Sequence, residues 1–239
     1  MVHERIPPPP SGRFRVRITA RSAAINVEAV AIDDLRIESA GRGHVSTSPG
    51  VDDEPTTAEV TTGSDEVTIL CPGGTDVLVG VSSGRVTLEG PLGSVHVMTS
   101  SGAVDIDEAE SVDVRSRSGR VRVGTCHGPC RVMTKSGSVE VDVAGTIDAA
   151  VKSGRVTVDQ VGGGRIYAAS GAVSLGATGE GNLEIRVMSG SVRIDVPRDC
   201  RPDVRARARS GRVTCDCPPG DDFVVDVATA SGSVVVGSS

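Results

Sequence analysis

The chain has 239 residues, enough for one or two domains, yet Phe14, Phe223 and Tyr167 are its only aromatics and tryptophan is absent. That composition excludes a core built on aromatic bulk. A formal net charge of -6 argues against a dedicated nucleic-acid binder, which is usually basic.

No apolar run approaches the roughly 18 residues that span a bilayer, and the opening residues lack the apolar stretch of a signal peptide. The expected location is therefore cytoplasmic, with any membrane association left to surface charge. Six cysteines do not make a disulfide framework in a chain of this length, so reduced thiols are expected.

In chain order, residues 1–12 read as a disordered Pro-rich leader, because Pro7 to Pro10 favour an extended conformation and donate nothing to a ladder. Residues 13–239 read as one β domain, with degenerate repeats over 13–63 and regular ones over 64–239. Ser22, residues 42–45 and Ser64 mark the weaker repeats, and Asp52-Asp53-Glu54-Pro55 reads as an exposed loop. From there Ser-Gly-x-Val recurs, with its serine at Ser83, Ser101, Ser118, Ser136, Ser153, Ser170, Ser189, Ser210 and Ser231. Steps of about 17 to 21 residues fall in the range of solenoid repeats.

Counting from each serine, positions +3 and +5 are apolar, as in Val86/Leu88, Val156/Val158 and Val192/Ile194. Positions -6 and -4 mostly are too, as in Val77/Val79 and Val112/Val114. Period-two alternation puts these side chains on one strand face. The predicted fold is all-β: a single-domain parallel β-solenoid of about twelve two-strand rungs, each turning at a Ser-Gly corner. At position -5 the series Asp113, Arg131, Asp148, Arg165, Glu184, Arg205, Asp226 alternates in sign, as a cross-strand ion-pair ladder requires.

These repeats resemble the bacterial toast-rack, adhesin-type β-strand-repeat family over roughly residues 14–239. The resemblance implies a β-solenoid and an envelope-related scaffold of unestablished function, and it brings no catalytic residues.

Cations gather by the Ser-Gly edge: Arg85, Arg115, Arg117, Arg120, Lys135, Lys152, Arg155, Arg186, Arg207, Arg209 and Arg212. Such an edge suits an anionic membrane surface or an acidic protein, although a solvated face explains it more simply. Carboxylates at +6, among them Asp107, Asp142 and Asp159, supply one group per rung, too few for a calcium cage.

Cys126-His127-Gly128-Pro129-Cys130 hints at zinc, but Cys130 falls on a core position and Cys215, also inward, lies rungs away, so no metal or cofactor is expected. A Cys200–Cys217 bridge is conceivable from their neighbouring turns. His96 above Asp113 continues the charge column, and the repeated serines read as corner residues rather than nucleophiles.

Phe14 and Phe223 share position -8 and are expected to plug the two ends of the core. Val234, Val235 and Val236 form the last strand before Gly237-Ser238-Ser239, so that end is expected to meet another chain and give a homo-oligomer. The leading functional expectation is a non-enzymatic, self-associating scaffold linked to the cell envelope or adhesion. The alternative is a module docking an anionic partner through the basic edge, and a carbohydrate-active enzyme comes third.

Overall fold

A computed structural model describes residues 2–9, 11–39, 43–50 and 54–238. Pro10, Arg42 and the Asp52-Asp53 part of the expected loop lie outside them. The described residues are all-β, a parallel β-solenoid without a helix, and they form two compact units, 1–125 and 126–239.

Unit 1 contains β1 (Val2–Ile6), β2 (Phe14–Val30), β3 (Leu35–Ser39), β4 (His44–Ser48), β5 (Thr56–Thr62), β6 (Val67–Pro72) and the first part of β7 (Asp76–Ala177). The rest of β7 belongs to unit 2. It is followed by β8 (Leu183–Val196), β9 (Asp203–Ser210), β10 (Val213–Asp216), β11 (Val224–Ser231) and β12 (Val234–Ser238).

The apolar columns read from the sequence are the core. Val86, Leu88, Val156, Val192 and Ile194 are all at most 1% exposed. A third inward column lies at position -2, where Thr99, Ser116, Thr134 and Thr229 are buried. Each hydroxyl donates to the carbonyl of the corner serine two residues on, at 3.1 to 3.3 Å. At these four corners the tie comes from position -2, a role the sequence reading gives to the motif serine; in the Ser83, Ser153, Ser170, Ser189 and Ser210 rungs that position is Val or Ala and has no hydroxyl.

The chain passes six Ser-Gly corners without leaving the extended state, so β7 runs unbroken through 102 residues. Two features of the corner glycine permit this. At Gly154 φ is +145°, and a Cβ there would stand 1.8 Å from the carbonyl oxygen of Gly137 in the adjacent rung. The same close approach recurs at Gly119 over Gly102 and at Gly171 over Gly154. Only glycine combines that φ with a backbone so near.

Rung order departs from chain order in both units. In unit 1, β2 pairs in parallel with the first β7 rung, Ser22 opposite Ser83, and on its other side with β5 and β6. The Ser22 rung thus sits between the Ser64 and Ser83 rungs. Beyond β5 and β6 the ladder turns antiparallel: β3 on β6, β4 on β5, and β1 on β3.

Two expectations are corrected there. The stretch at 42–45 does not make a parallel rung, because His44–Ser48 pairs antiparallel with Thr57–Thr61. The leader contains a strand, because Val2–Ile6 finds an open edge on β3. Asp34, a buried carboxylate, fastens this layer by ion-pairing with Arg36 at 3.1 Å and with Arg5 of β1. The hydrogen bond from Arg36 outweighs the cost of burial and holds the carboxyl below its usual range. With Leu35, Ile37, Ala58 and Val60 at most 1% exposed, this end of the core is covered.

Unit 2 repeats the exchange. β11 and β12 pair in parallel with β8 on one side. On the other side they pair with β9 and β10. The Ser231 rung therefore lies between the Ser189 and Ser210 rungs. Val234 and Val236 are fully buried and doubly paired, so the expected self-association end at Val234, Val235 and Val236 is an interior strand. Phe14 and Phe223 are buried at 2% and 4% exposure, but each belongs to an inserted rung. They fill the core inside the stack rather than closing it: Phe223 lies one layer in from the β9–β10 edge, and Phe14 lies beneath β5–β6 and the antiparallel strands beyond them.

Candidate functional site

The uncovered rung of unit 2 is β9–β10. In the observed ladder β9 pairs with β11 and β10 with β12, which leaves the far edge of each open among the described residues. Inward positions that are sealed in other rungs are uncovered here. Val204, Ala206 and Ala208 are half-buried, Cys215 is exposed, and Val213 is 40% exposed. The Asp203 amide donates to the Phe223 carbonyl and the Arg212 carbonyl accepts from Val234. Strand alternation then aims the backbone groups of Val204, Ala206, Ala208, Val213 and Cys215 at the open edge. Apolar surface and unpaired backbone coincide, as at any edge able to accept a strand.

The outward face of β9 carries Arg205, Arg207 and Arg209, all exposed. Arg205 pairs with Asp203 on its own strand at 2.7 Å. Across β11 the register sets Asp226 opposite Arg205 but Ala228 opposite Arg207. Ala228, Ala230, Tyr167, Met188, Arg186 and Arg209 line a shallow groove of about 310 Å³. Tyr167 and Met188 are exposed, with the Tyr167 hydroxyl 3.2 Å from the Met188 sulfur.

The rung exchange also alters the charge column. Glu184 lies opposite Asp226, where the chain order puts Arg205 between them. Arg186 resolves this like-charge contact. It meets Asp226 through two hydrogen bonds at 3.0 and 3.2 Å and Glu184 at 3.2 Å. The Arg186 hydrogen bond, opposed by desolvation, holds the Asp226 carboxyl below its ordinary range. Elsewhere the column pairs as its signs require, Arg131 with Asp148 at 3.5 Å and Arg17 with Glu59 at 3.2 Å.

Of the basic-edge residues, Arg186 and Arg115 are committed to carboxylates, Arg115 to Asp113 at 3.2 Å. Arg85, Arg117 and Arg120 in unit 1, and Lys135, Lys152, Arg155, Arg207, Arg209 and Arg212 in unit 2, are exposed. His96 faces Asp113 at 3.5 Å, so that carboxylate is shared with Arg115.

Cys126 and Cys130 are buried together, and the Cys126 thiol, then burial, pushes the Cys130 thiol upward. None of the six cysteines is disulfide-bonded. The neighbour of Cys217 is Cys215, sulfur to sulfur 3.1 Å, rather than Cys200. Cys215 itself is exposed, not in the core, because the rung that would cover it is absent from this side. The described residues contain no group of three or more His, Cys, Asp or Glu placed to hold a metal ion, and no helix long and apolar enough to cross a membrane.

No curated protein matches the chain. Among solved structures it is similar to a candidate cell-adhesion protein of Clostridium sporogenes, with 10% identity, a TM-score of 0.25, and 100% and 99% of the two chains covered. It is also similar to a candidate adhesin of Bacteroides fragilis, with 13% identity, a TM-score of 0.36, and 98% and 96% covered. The family model Toastrack DUF4097 matches residues 15–237. Repeat, corner and model agree over nearly the whole sequence, and the chain belongs to the Toastrack family.

Proposed function

We propose that the chain is a non-enzymatic interaction scaffold that binds by accepting an added strand along the open rung β9–β10. One observation carries this reading. The outer positions of unit 1 are sealed by antiparallel strands, whereas Val213 and Cys215 of unit 2 stand exposed beside unpaired backbone. Strand addition is an established recognition mode, in which main-chain hydrogen bonds supply affinity and alternate side chains supply selectivity.

The test is a selection of phage-displayed random octapeptides on the wild-type chain and on Ala206→Pro. The Ala206 amide faces the open edge, so proline blocks an incoming strand without removing a ladder bond. Peptides enriched on the wild type and lost on the folded variant support the reading. Equal recovery on both would overturn it.

A second reading is that the Ser-Gly edge docks on anionic lipid, favoured by the exposure of Lys135, Lys152 and Arg155 along it in unit 2. Co-sedimentation with vesicles of phosphatidylserine and phosphatidylcholine at low salt decides this. Equal recovery with neutral vesicles sinks it.

A further inference from the structure

We infer that the strand received by β9 is acidic: an extended peptide segment with carboxylates at alternate positions and small apolar residues between them. This rests on the strand-accepting reading above and names the chemistry of its partner.

The first ground is the charge left over on β9. Arg205, Arg207 and Arg209 stand at alternate positions, hence on one face and about 6.6 Å apart. On the covered side Arg205 has Asp226 across the ladder, but Arg207 has Ala228, and the same register continues to Ala230 beside Arg209. A short methyl offers no hydrogen-bond acceptor, so on this side Arg207 has only the field of Asp226, a carboxylate already bonded to Arg186. In the -5 column of unit 2 an arginine is answered across the strand, as Arg131 is by Asp148. For Arg207 and Arg209 the only strand position left to supply a carboxylate is the unoccupied one.

The second ground weighs against a second copy of this chain. Parallel pairing of β9 with itself stacks each arginine on its twin, and antiparallel pairing about Ala206 sets Arg205 against Arg207, with Asp203 against Arg209 as the only offset, whereas an acidic strand answers all three arginines. In unit 1 the outermost strands β1 and β4 carry one carboxylate between them, Glu4. None of these edges presents the acidic alternation that β9 lacks.

The third ground sets the length. A Cβ on Gly211 would meet the carbonyl oxygen of Gly232 at 1.7 Å, and a Cβ on Gly232 that of Gly190 at 1.8 Å. The corner carbonyls therefore all point the same way along the stack, and that of Gly211 points out of the open edge. An incoming residue with a side chain collides with it. The segment lies along Asp203–Ser210, about eight residues, and passes the corner only if it brings a glycine there.

Three fluorescent octapeptides, alternating valine with glutamate, glutamine or lysine, are titrated against the full chain at about 50 and about 300 mM salt. The glutamate peptide is expected to bind about tenfold more tightly than the glutamine peptide at low salt, with the advantage shrinking at high salt. Arg207→Ser/Arg209→Ser, both exposed, is expected to keep its melting temperature and lose that preference. Ala206→Pro is expected to lose all binding.

A glutamine peptide that binds as well as the glutamate one overturns the acidic partner and leaves strand addition standing. Binding of none of the three, with Ala206→Pro indifferent in the octapeptide selection, removes both. Anionic vesicles competing with the glutamate peptide for wild type but not for the double variant would reassign the arginines to lipid headgroups.

Discussion

Gly154→Ala tests the physical basis of the corner. Two costs add. At φ +145° an alanine occupies a region that is nearly glycine-only, at about 1–3 kcal/mol. Its Cβ would also sit 1.8 Å from the Gly137 carbonyl, where real contacts stay above 3.0 Å. The two rungs must separate by more than an ångström, which breaks the ladder bonds flanking the corner at about 1 kcal/mol each. Together the loss is about 3–5 kcal/mol. Urea unfolding monitored by far-UV dichroism measures it, with Gly63→Ala as the control. Gly63 has no atom within 4 Å of the added methyl and no positive φ, so its change should stay within about 0.5 kcal/mol. A Gly154→Ala variant within about 1 kcal/mol of wild type would refute the close-approach argument.

Arg186→Gln leaves Glu184 facing Asp226 and is expected to destabilise the fold by about 1 kcal/mol at pH 7, a value discounted for the partial exposure of the pair. Because the folded Asp226 carboxyl is depressed below 3.8, its contribution is present above that value and lost as pH falls through the folded pKa. Urea midpoints of variant and wild type should converge at the acid end, and a gap that persists there contradicts the assignment. Phe223→Ala removes a ring that is 4% exposed and should cost about 3–5 kcal/mol by the cavity it leaves, measured the same way.

Native hydrogen exchange should find the β10 amides that face the open edge, Val213 and Cys215, exchanging fastest, with β12 protected. A β12 that exchanges as fast as β10 rejects the inserted order. In a thiol assay at pH 8, Cys215 should react first and Cys217 lag, since burial and Cys215 push its thiol to about 11. Denaturant should release all six thiols without reductant, and four would restore a bridge.

What the sequence makes legible is the rung. Period-two columns identify Val86, Leu88, Val156 and Ile194 as core, and the signs at -5 anticipate the Arg131–Asp148 pair. Rung order is not legible in the same way. Any two rungs with Val at the same inward positions stack equally well on a third, so apolar columns do not encode sequence in space. The traces of order are pairwise and small. Ala23 takes the glycine's place in the Ser22 rung, where a Cβ on Gly84 would meet its carbonyl at 2.0 Å. Arg186 stands two residues from Glu184, ready for the second acid that the exchange brings. Strands β1, β3 and β4 were hidden for another reason. They are five residues each, lack the Ser-Gly corner and pair antiparallel, so the repeat frame has no position for them.

The two exchanges have one physical consequence. A rung added last to a serial stack gains a single ladder and stays an edge. The Ser22 and Ser231 rungs instead fill a slot between two others and gain a ladder on each side. Phe14 and Phe223 lie in these rungs and at the same register position, where their neighbours carry small or turn-forming residues such as Thr56, Thr75 and Gly181. A large ring at this position has room because the adjacent layers carry Thr56 and Thr75 about Phe14, and Gly181 and Pro202 about Phe223, so the phenylalanines fall in the inserted rungs. Insertion also moves the edge. In unit 1 the displaced edge is sealed by β3 and β4, whereas in unit 2 it falls on β9–β10, where Arg207 and Arg209 have alanine rather than a carboxylate beside them and the rim backbone is unpaired among the described residues. The arrangement that protects β12 therefore also creates the surface available for recognition.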